Sequence, residues 1–260
     1  MLAAVRRQIV AGRRVWLFLD YDGTLVPIAR TPDEARPDAP LLKLLSGLAE
    51  MPALLVTVLS GRPLSSLQTM LPISRLILAG TYGIEVQMPG KGVIIRADPV
   101  RLRPTIEQVR SAWAQLIAGR DGFLLEDKWV AVALHARFAD STDAKVVLPR
   151  ARAIATQSVR THHFRILQGD RFLEVAPAAA HKGQTVEWLL SQYPFPGALT
   201  VYCGDDDKDE EAFAVVRRRG GIPIVVGQGQ RTTQAAYRFD SPDAVRGWLQ
   251  LLGEAAAEIS

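Results

Sequence analysis

Cysteine is nearly absent: Cys203 stands alone in 260 residues, so no internal disulfide can form and paired-thiol redox chemistry is excluded. Its place in the apolar run LTVYCG reads as a buried structural thiol. Long apolar runs are missing too. No stretch reaches the roughly 18 residues a membrane span needs, and the opening MLAAVRRQIVAGRRVWLFLD has neither the apolar core nor the cleavage site of a secretory signal. A cytoplasmic location without a membrane partner is therefore expected. Nor is there a strong charge of one sign: Lys and Arg total 31 against 27 Asp and Glu, a net +4 with pI ≈ 9.4. The arginines are scattered and not gathered on one stripe, which speaks against nucleic acid as a partner. The densest run, Arg217-Arg218-Arg219 before Gly220-Gly221, reads as a helix C-terminus with its glycine cap.

Material for a core is plentiful, since 48% of the residues are hydrophobic and 22% charged. Short apolar runs alternate with amphipathic stretches, the pattern of an α/β fold with a parallel sheet and helices on both faces. VWLFL, ALLVTVL, LILA, ALTVYC and IPIVV read as buried strands; APLLKLLSGLAEM, PLSSLQTML, HKGQTVEWLLSQY and DEEAFAVVRRR read as helices between them. From about Arg101 the order changes to helix, two strands, helix, two strands, which predicts a smaller α/β unit inserted over residues 99–178, between core segments 1–98 and 179–260. The Ala-rich tail is read as low-complexity sequence.

The strand VWLFL runs into Asp20-Tyr21-Asp22-Gly23. Asp-Gly chemistry explains a turn at Asp22-Gly23 but leaves Asp20 without a purpose. A second apparent strand ends in GDDDKDEE, with Asp205, Asp206, Asp207, Asp209 and Glu210. Ligands collect at the carboxyl ends of strands in open parallel sheets, and two acidic strand ends there repel one another unless a divalent cation joins them. Oxygen ligands without histidine or cysteine favour magnesium over zinc. Magnesium commonly works with phosphate, and two features suit phosphate oxygens: Ser60 with the amides of the following turn, Gly61 and Arg62, before a helix, and Lys182 at the start of another. Taken singly, Ser60 is equally a helix cap and Lys182 a solvated lysine.

Together these segments resemble the haloacid dehalogenase (HAD) superfamily, whose DxDGT signature is matched by Asp20-Tyr21-Asp22-Gly23-Thr24. FLDYDGTLVPI, SGRPLSSL, EDKWVAVALHAR and GDDDKDEE look most like its trehalose-6-phosphate phosphatases, which carry an inserted α/β cap. The resemblance implies a HAD core with a cap and a Mg2+-dependent phosphatase acting through an aspartyl-phosphate. Asp20 is then the nucleophile and Asp22 the acid and base, its pKa raised towards neutrality. The metal is held by the Asp20 side chain, the Asp22 carbonyl and Asp205, with Asp209 close by or one water removed. Ser60 and Lys182 grip the phosphoryl group, with Gly61 and Arg62 beside them in substrate binding. In the cap, Glu126, Lys128, His135, Arg137 and Glu174 resemble the family's sugar-contacting residues; ordinary cross-strand charge pairing is the alternative for each. The resemblance also implies that the cap opens and closes, with 98–103 and 176–180 as the loops that absorb the motion.

Two departures bear on the sugar. GDRFLEVAP has Asp170 and Ala176 where the family carries basic or arginine-proline positions, with Arg171 as a stand-in, and GTYGIE has Tyr82 where histidine is common. Another sugar phosphate or a phosphorylated glycosyl-glycerate is thus the nearest alternative substrate. A mutase is a further alternative, and so is a non-catalytic sugar-phosphate-binding partner of a synthase. The expected state is a monomer or weak oligomer.

Overall fold

The computed structural model describes Val5 and residues 11–258 except 161, 170, 194 and 230, so Asp170 lies outside the described residues. The chain divides into two compact units, residues 1–94 with 181–260, and residues 95–180. The expected insert, 99–178, sits a few residues inside the second of these.

Unit 1 is built on strands β1 (Val15–Leu19), β2 (Leu54–Leu59), β3 (Ile77–Gly80), β4 (Glu85–Met88) and β5 (Gly92–Ile95). The sheet is completed by β10 (Leu199–Gly204), β11 (Ile222–Val226) and β12 (Tyr237–Phe239), in the order β12-β11-β10-β1-β2-β3-β4-β5. The strands from β12 to β3 pair in parallel, while β4 runs antiparallel to β3. The sheet is therefore mostly parallel, with an antiparallel margin that the apolar runs did not reveal. Alternation along β1 sends Val15, Leu17 and Leu19 to one face and Trp16 and Phe18 to the other, and each face has its own core. Helices α1 (Ala39–Glu50), α2 (Leu64–Met70) and α7 (Pro242–Ala257) contribute to the first; α5 (Lys182–Gln192) and α6 (Asp209–Arg218) to the second. Gly220, at φ +72°, ends α6 as expected from the arginine run: its amide bonds the Arg217 carbonyl, and Gly221 bonds Val216.

The Ala-rich tail belongs to a packed helix, α7. Ser241 caps α7 by accepting from the Ala244 amide at 3.2 Å, and Val245, Trp248, Leu249 and Leu252 are buried at helical spacing.

In unit 2, β6 (Leu124–Asp127), β7 (Val132–His135), β9 (Phe172–Pro177) and β8 (Phe164–Gly169) form an antiparallel sheet in that order. Helices α3 (Pro99–Ile117) and α4 (Ser141–Ser158) bury Val132, Leu134, Leu173 and Val175 on one face. Residues 98–103 are not a loop. Asp98 accepts hydrogen bonds from the amides of Val100 and Arg101 and starts α3 at Pro99, and Ala176 and Pro177 end β9. Pro99 is seated in the first helical turn, where proline is favoured.

Among the described residues no helix is long and apolar enough to cross a membrane.

Candidate active site

The sheet order fixes where the acids meet. From β1 the chain moves outward through β2 and β3, and its return strand β10 lies on β1's other side, so the order reverses between β1 and β10. In parallel register Leu19 faces Cys203, and the Asp20 amide donates to the Cys203 carbonyl at 2.9 Å. Asp20 and Asp205 thus emerge side by side. Carboxylate oxygens of Asp20, Asp205 and Asp209 lie within 4.8 Å of one another. Thr24 donates its hydroxyl to Asp205 at 3.2 Å. Gly23, at φ +76°, leaves room that a Cβ would fill, because that atom would fall on the Asp205 carboxylate.

Lys182 is the counter-charge. The residue is 2% exposed, and its Nζ lies 3.0 Å from Asp20 and 2.7 Å from Asp209. Burial works to lower its pKa, but Asp20 and Asp209 together hold it well above the usual lysine value. One buried cation cannot balance these acids. Burial raises Asp20 well above the usual carboxylate range against the pull of Lys182, with Asp209, Asp205 and Asp206 adding to the rise. Burial, with Asp209 and Asp206 next, pushes Asp205 up to about 7. An all-oxygen cluster with surplus negative charge fits a hard divalent cation. Asp209 is the most committed of the three. It accepts from Lys182 and the Tyr202 hydroxyl on one oxygen, and from the amides of Asp205 and Asp206 on the other, at 2.7–3.0 Å. Asp20 and Asp205 therefore retain more capacity to ligate.

The second acid of the motif is gripped by a base: both oxygens of Asp22 accept from the Arg62 guanidinium at 2.7 Å, a bidentate pair. Arg62 thus positions Asp22, and its amide donates to the Ser60 hydroxyl at 3.2 Å. Ser60 itself is buried past the end of β2. Its turn is clamped by a strained segment in which Thr81, Tyr82 and Gly83 all have positive φ, at 49°, 56° and 92°. Tyr82 donates its amide to the Ser60 carbonyl and Thr81 to that of Arg62. A Cβ on Gly61 would meet the Tyr82 ring at 2.7 Å, so only glycine fits beneath it.

The sheet face of unit 2 opposite α3 and α4 gathers four of the five expected cap residues. Register places Glu126 opposite Ala133 and Ala133 opposite Glu174, and the small alanine leaves space between two carboxylates. Lys128 fills it, 3.2 Å from Glu174 and 3.7 Å from Glu126, while His135 lies 3.0 Å from Glu126. Arg137 is exposed beyond the end of β7. Arg171 donates to the carbonyls of Arg137 and Ala139, so its guanidinium fastens a turn.

Sequence reasoning did not single out Thr24, Tyr202 or Arg231. Thr24 lies within the DxDGT signature and was within reach of that motif; Tyr202 looks like any aromatic in a buried strand, and Arg231 like any loop arginine. The last donates to the carbonyls of Asp205 and Asp206 at 2.7 and 3.1 Å. Beside it a cleft of about 470 Å³ is lined by Gly23, Ile28, Asp205, Gly227, Arg231 and Arg238, among others.

Residues 18–243 match the family model for trehalose-phosphatase. A probable trehalose-phosphate phosphatase of Sinorhizobium fredii is 32% identical over 239 residues, covering 91% of this chain and 86% of that protein. Probable trehalose-phosphate phosphatase D of Arabidopsis thaliana is 31% identical over 258 residues, covering 94% and 68%. In fold, the chain is similar to the C-terminal domain of C. albicans trehalose-6-phosphate phosphatase, with TM-score 0.84 at 23% identity, covering 97% of this chain and 96% of that one. The signature acids, the family match along most of the chain and the shared architecture agree: the chain belongs to the trehalose-phosphatase family of phosphoric monoester hydrolases.

Proposed function

We propose that this chain hydrolyses trehalose 6-phosphate to trehalose and inorganic phosphate, with Asp20 as nucleophile. The observation that carries this reading is the juxtaposition of Asp20 with Lys182 on one side and the Asp205 acid loop on the other. The Asp20 carboxylate forms the new bond to phosphorus as the bond to the sugar oxygen breaks, giving an aspartyl-phosphate. Asp22 delivers a proton to the departing sugar alkoxide. It then takes a proton from the water that attacks phosphorus and frees Asp20. Arg62 releases one or both of its bonds to Asp22 as that proton is carried, and returns to the carboxylate afterwards.

Asp20 and Asp205, with the Asp22 carbonyl, would hold Mg2+, and Asp209 would fix the ligand loop from behind. Bound there, the ion supplies positive charge that offsets the meeting of carboxylate and phosphate. Ser60, the Gly61 amide and Lys182 bind the phosphoryl oxygens. Glu126, Lys128, His135 and Glu174 suit sugar hydroxyls, since carboxylates accept and the ammonium donates; Arg137 belongs to the same proposed set from its exposed position. Phosphate release from trehalose 6-phosphate and a panel of other sugar phosphates, with and without Mg2+, tests the reading. Fastest turnover of trehalose 6-phosphate is expected, with none by Asp20→Asn. Preference for another sugar phosphate would replace the substrate, and full activity of Asp20→Asn would remove the nucleophile.

A further inference from the structure

Asp205 sits on a loop between β10 and α6 whose main chain is gripped from outside. We infer that Arg231 is a positioning residue for the divalent-cation site, fixing the 205–207 loop through its main chain; this rests on the proposal that Asp205 binds the metal.

Arg231 follows β11 and is remote in sequence from the acids. Its two terminal nitrogens donate to the carbonyl oxygens of Asp205 and Asp206, and one also reaches Glu210 at 3.3 Å. Asp207 lies 3.5 Å away. Three residues on, the Gln234 amide donates to the other Glu210 oxygen at 2.8 Å. Segment 231–234 therefore grips both ends of the turn, the strand end at Asp205 and the first turn of α6 at Glu210.

From the other side, Asp209 accepts the amides of Asp205 and Asp206. The same two peptide-bearing residues are thus held by their N–H groups from Asp209 and by their C=O groups from Arg231. That fixes the backbone from which the Asp205 side chain projects. Arg231 takes this position at a cost, because its Nε is buried without a hydrogen-bond partner among the described residues. A planar fork can hold two carbonyls and a carboxylate together; the point charge of a lysine cannot reproduce that geometry.

Mg2+ binding measured by isothermal titration calorimetry on the full chain, with MgCl2 alone, tests the inference. Substitutions of residues that orient metal ligands weaken affinity about 10–100-fold, and Arg231→Ala is expected at the lower end, near tenfold. Arg231→Lys should fall between Ala and wild type, and Glu210→Gln should weaken binding by less than Arg231→Ala. KM for sugar phosphate at saturating Mg2+ should stay at the wild-type value for these variants, and Mg2+ should raise the urea midpoint of Arg231→Ala by less than it raises that of the wild type. Wild-type or tighter Mg2+ binding by Arg231→Ala would overturn the inference, as would a Mg2+-induced rise in its urea midpoint as large as that of the wild type. If the alanine variant does not fold, wild-type affinity in both Arg231→Lys and Glu210→Gln overturns it equally. Asp205→Asn separates the two levels. Its unchanged Mg2+ affinity would defeat the metal reading itself, whereas its loss beside an unaffected Arg231→Ala would defeat only the role of Arg231.

Discussion

At the scale of single residues, the site is an excess of buried acid held by one buried base. Removing Lys182 leaves Asp20 and Asp209 facing each other without a cation, and breaking such a buried pair typically costs about 3–5 kcal/mol. Lys182→Ala is expected to lose that order of stability in urea denaturation and to release no measurable phosphate; wild-type stability would contradict the pairing. The pH dependence has a definite sign. In the metal-free fold Asp205 holds its proton up to about 7, against 3.8 for an unperturbed aspartate, so the folded state binds more protons across that interval. Stability in EDTA should therefore fall as pH rises from about 4 to about 7 through this group. Mg2+ binds the deprotonated form, so its effect on Tm should be larger at pH 8 than at pH 5. Thermal unfolding with and without Mg2+ checks both, and an EDTA stability that climbs through the same interval in parallel with an Asp205→Asn variant would contradict the assignment. Gly23→Ala puts a methyl group into the Asp205 carboxylate at a positive φ, and is expected to abolish detectable Mg2+ binding by calorimetry.

Among the elements of the large sheet, the strands read from the sequence are those buried on two sides. The runs at β1, β2, β3, β10 and β11 are continuous apolar strands because both faces of the parallel sheet are covered. β5 and β12 escaped notice for the opposite reason: β5 is exposed throughout and β12 is three residues long, mostly exposed. α7 was passed over because its end, Ala255–Ala257, drew attention as an alanine run, although Val245, Trp248, Leu249 and Leu252 before it are buried at helical spacing. Its contribution is measurable. Trp248 packs into the first core face with Phe239, and Trp248→Ala should cost about 3–5 kcal/mol in urea unfolding. A loss below about 1 kcal/mol would mean that the tail is not part of the core.

For the whole molecule, the two units own separate cores: the clusters of the large sheet contain no residue of 95–180, and the cluster beneath α3 and α4 contains no residue outside it. A segment comprising residues 95–180 is accordingly expected to unfold cooperatively on its own in urea, and a non-cooperative transition would show that its core is incomplete. The site was legible to the same extent as the strands that end in it. Asp20, Ser60 and Asp205 follow buried runs, and Lys182 opens a periodic helix, so motif and fold signals coincide. The pairing of Arg62 with Asp22, the strained turn at Tyr82 and the grip of Arg231 depend on contacts between distant segments, which no local pattern encodes. The central claim concerns one bond, between an Asp20 oxygen and phosphorus. Its most direct measurement is peptide mass spectrometry of protein acid-quenched during turnover of trehalose 6-phosphate with Mg2+, including the Asp22→Asn variant, in which the intermediate should persist. Phosphate attached to Asp20 is the expected result; turnover by the wild type with no phosphorylated chain, or with phosphate on another residue, would contradict it.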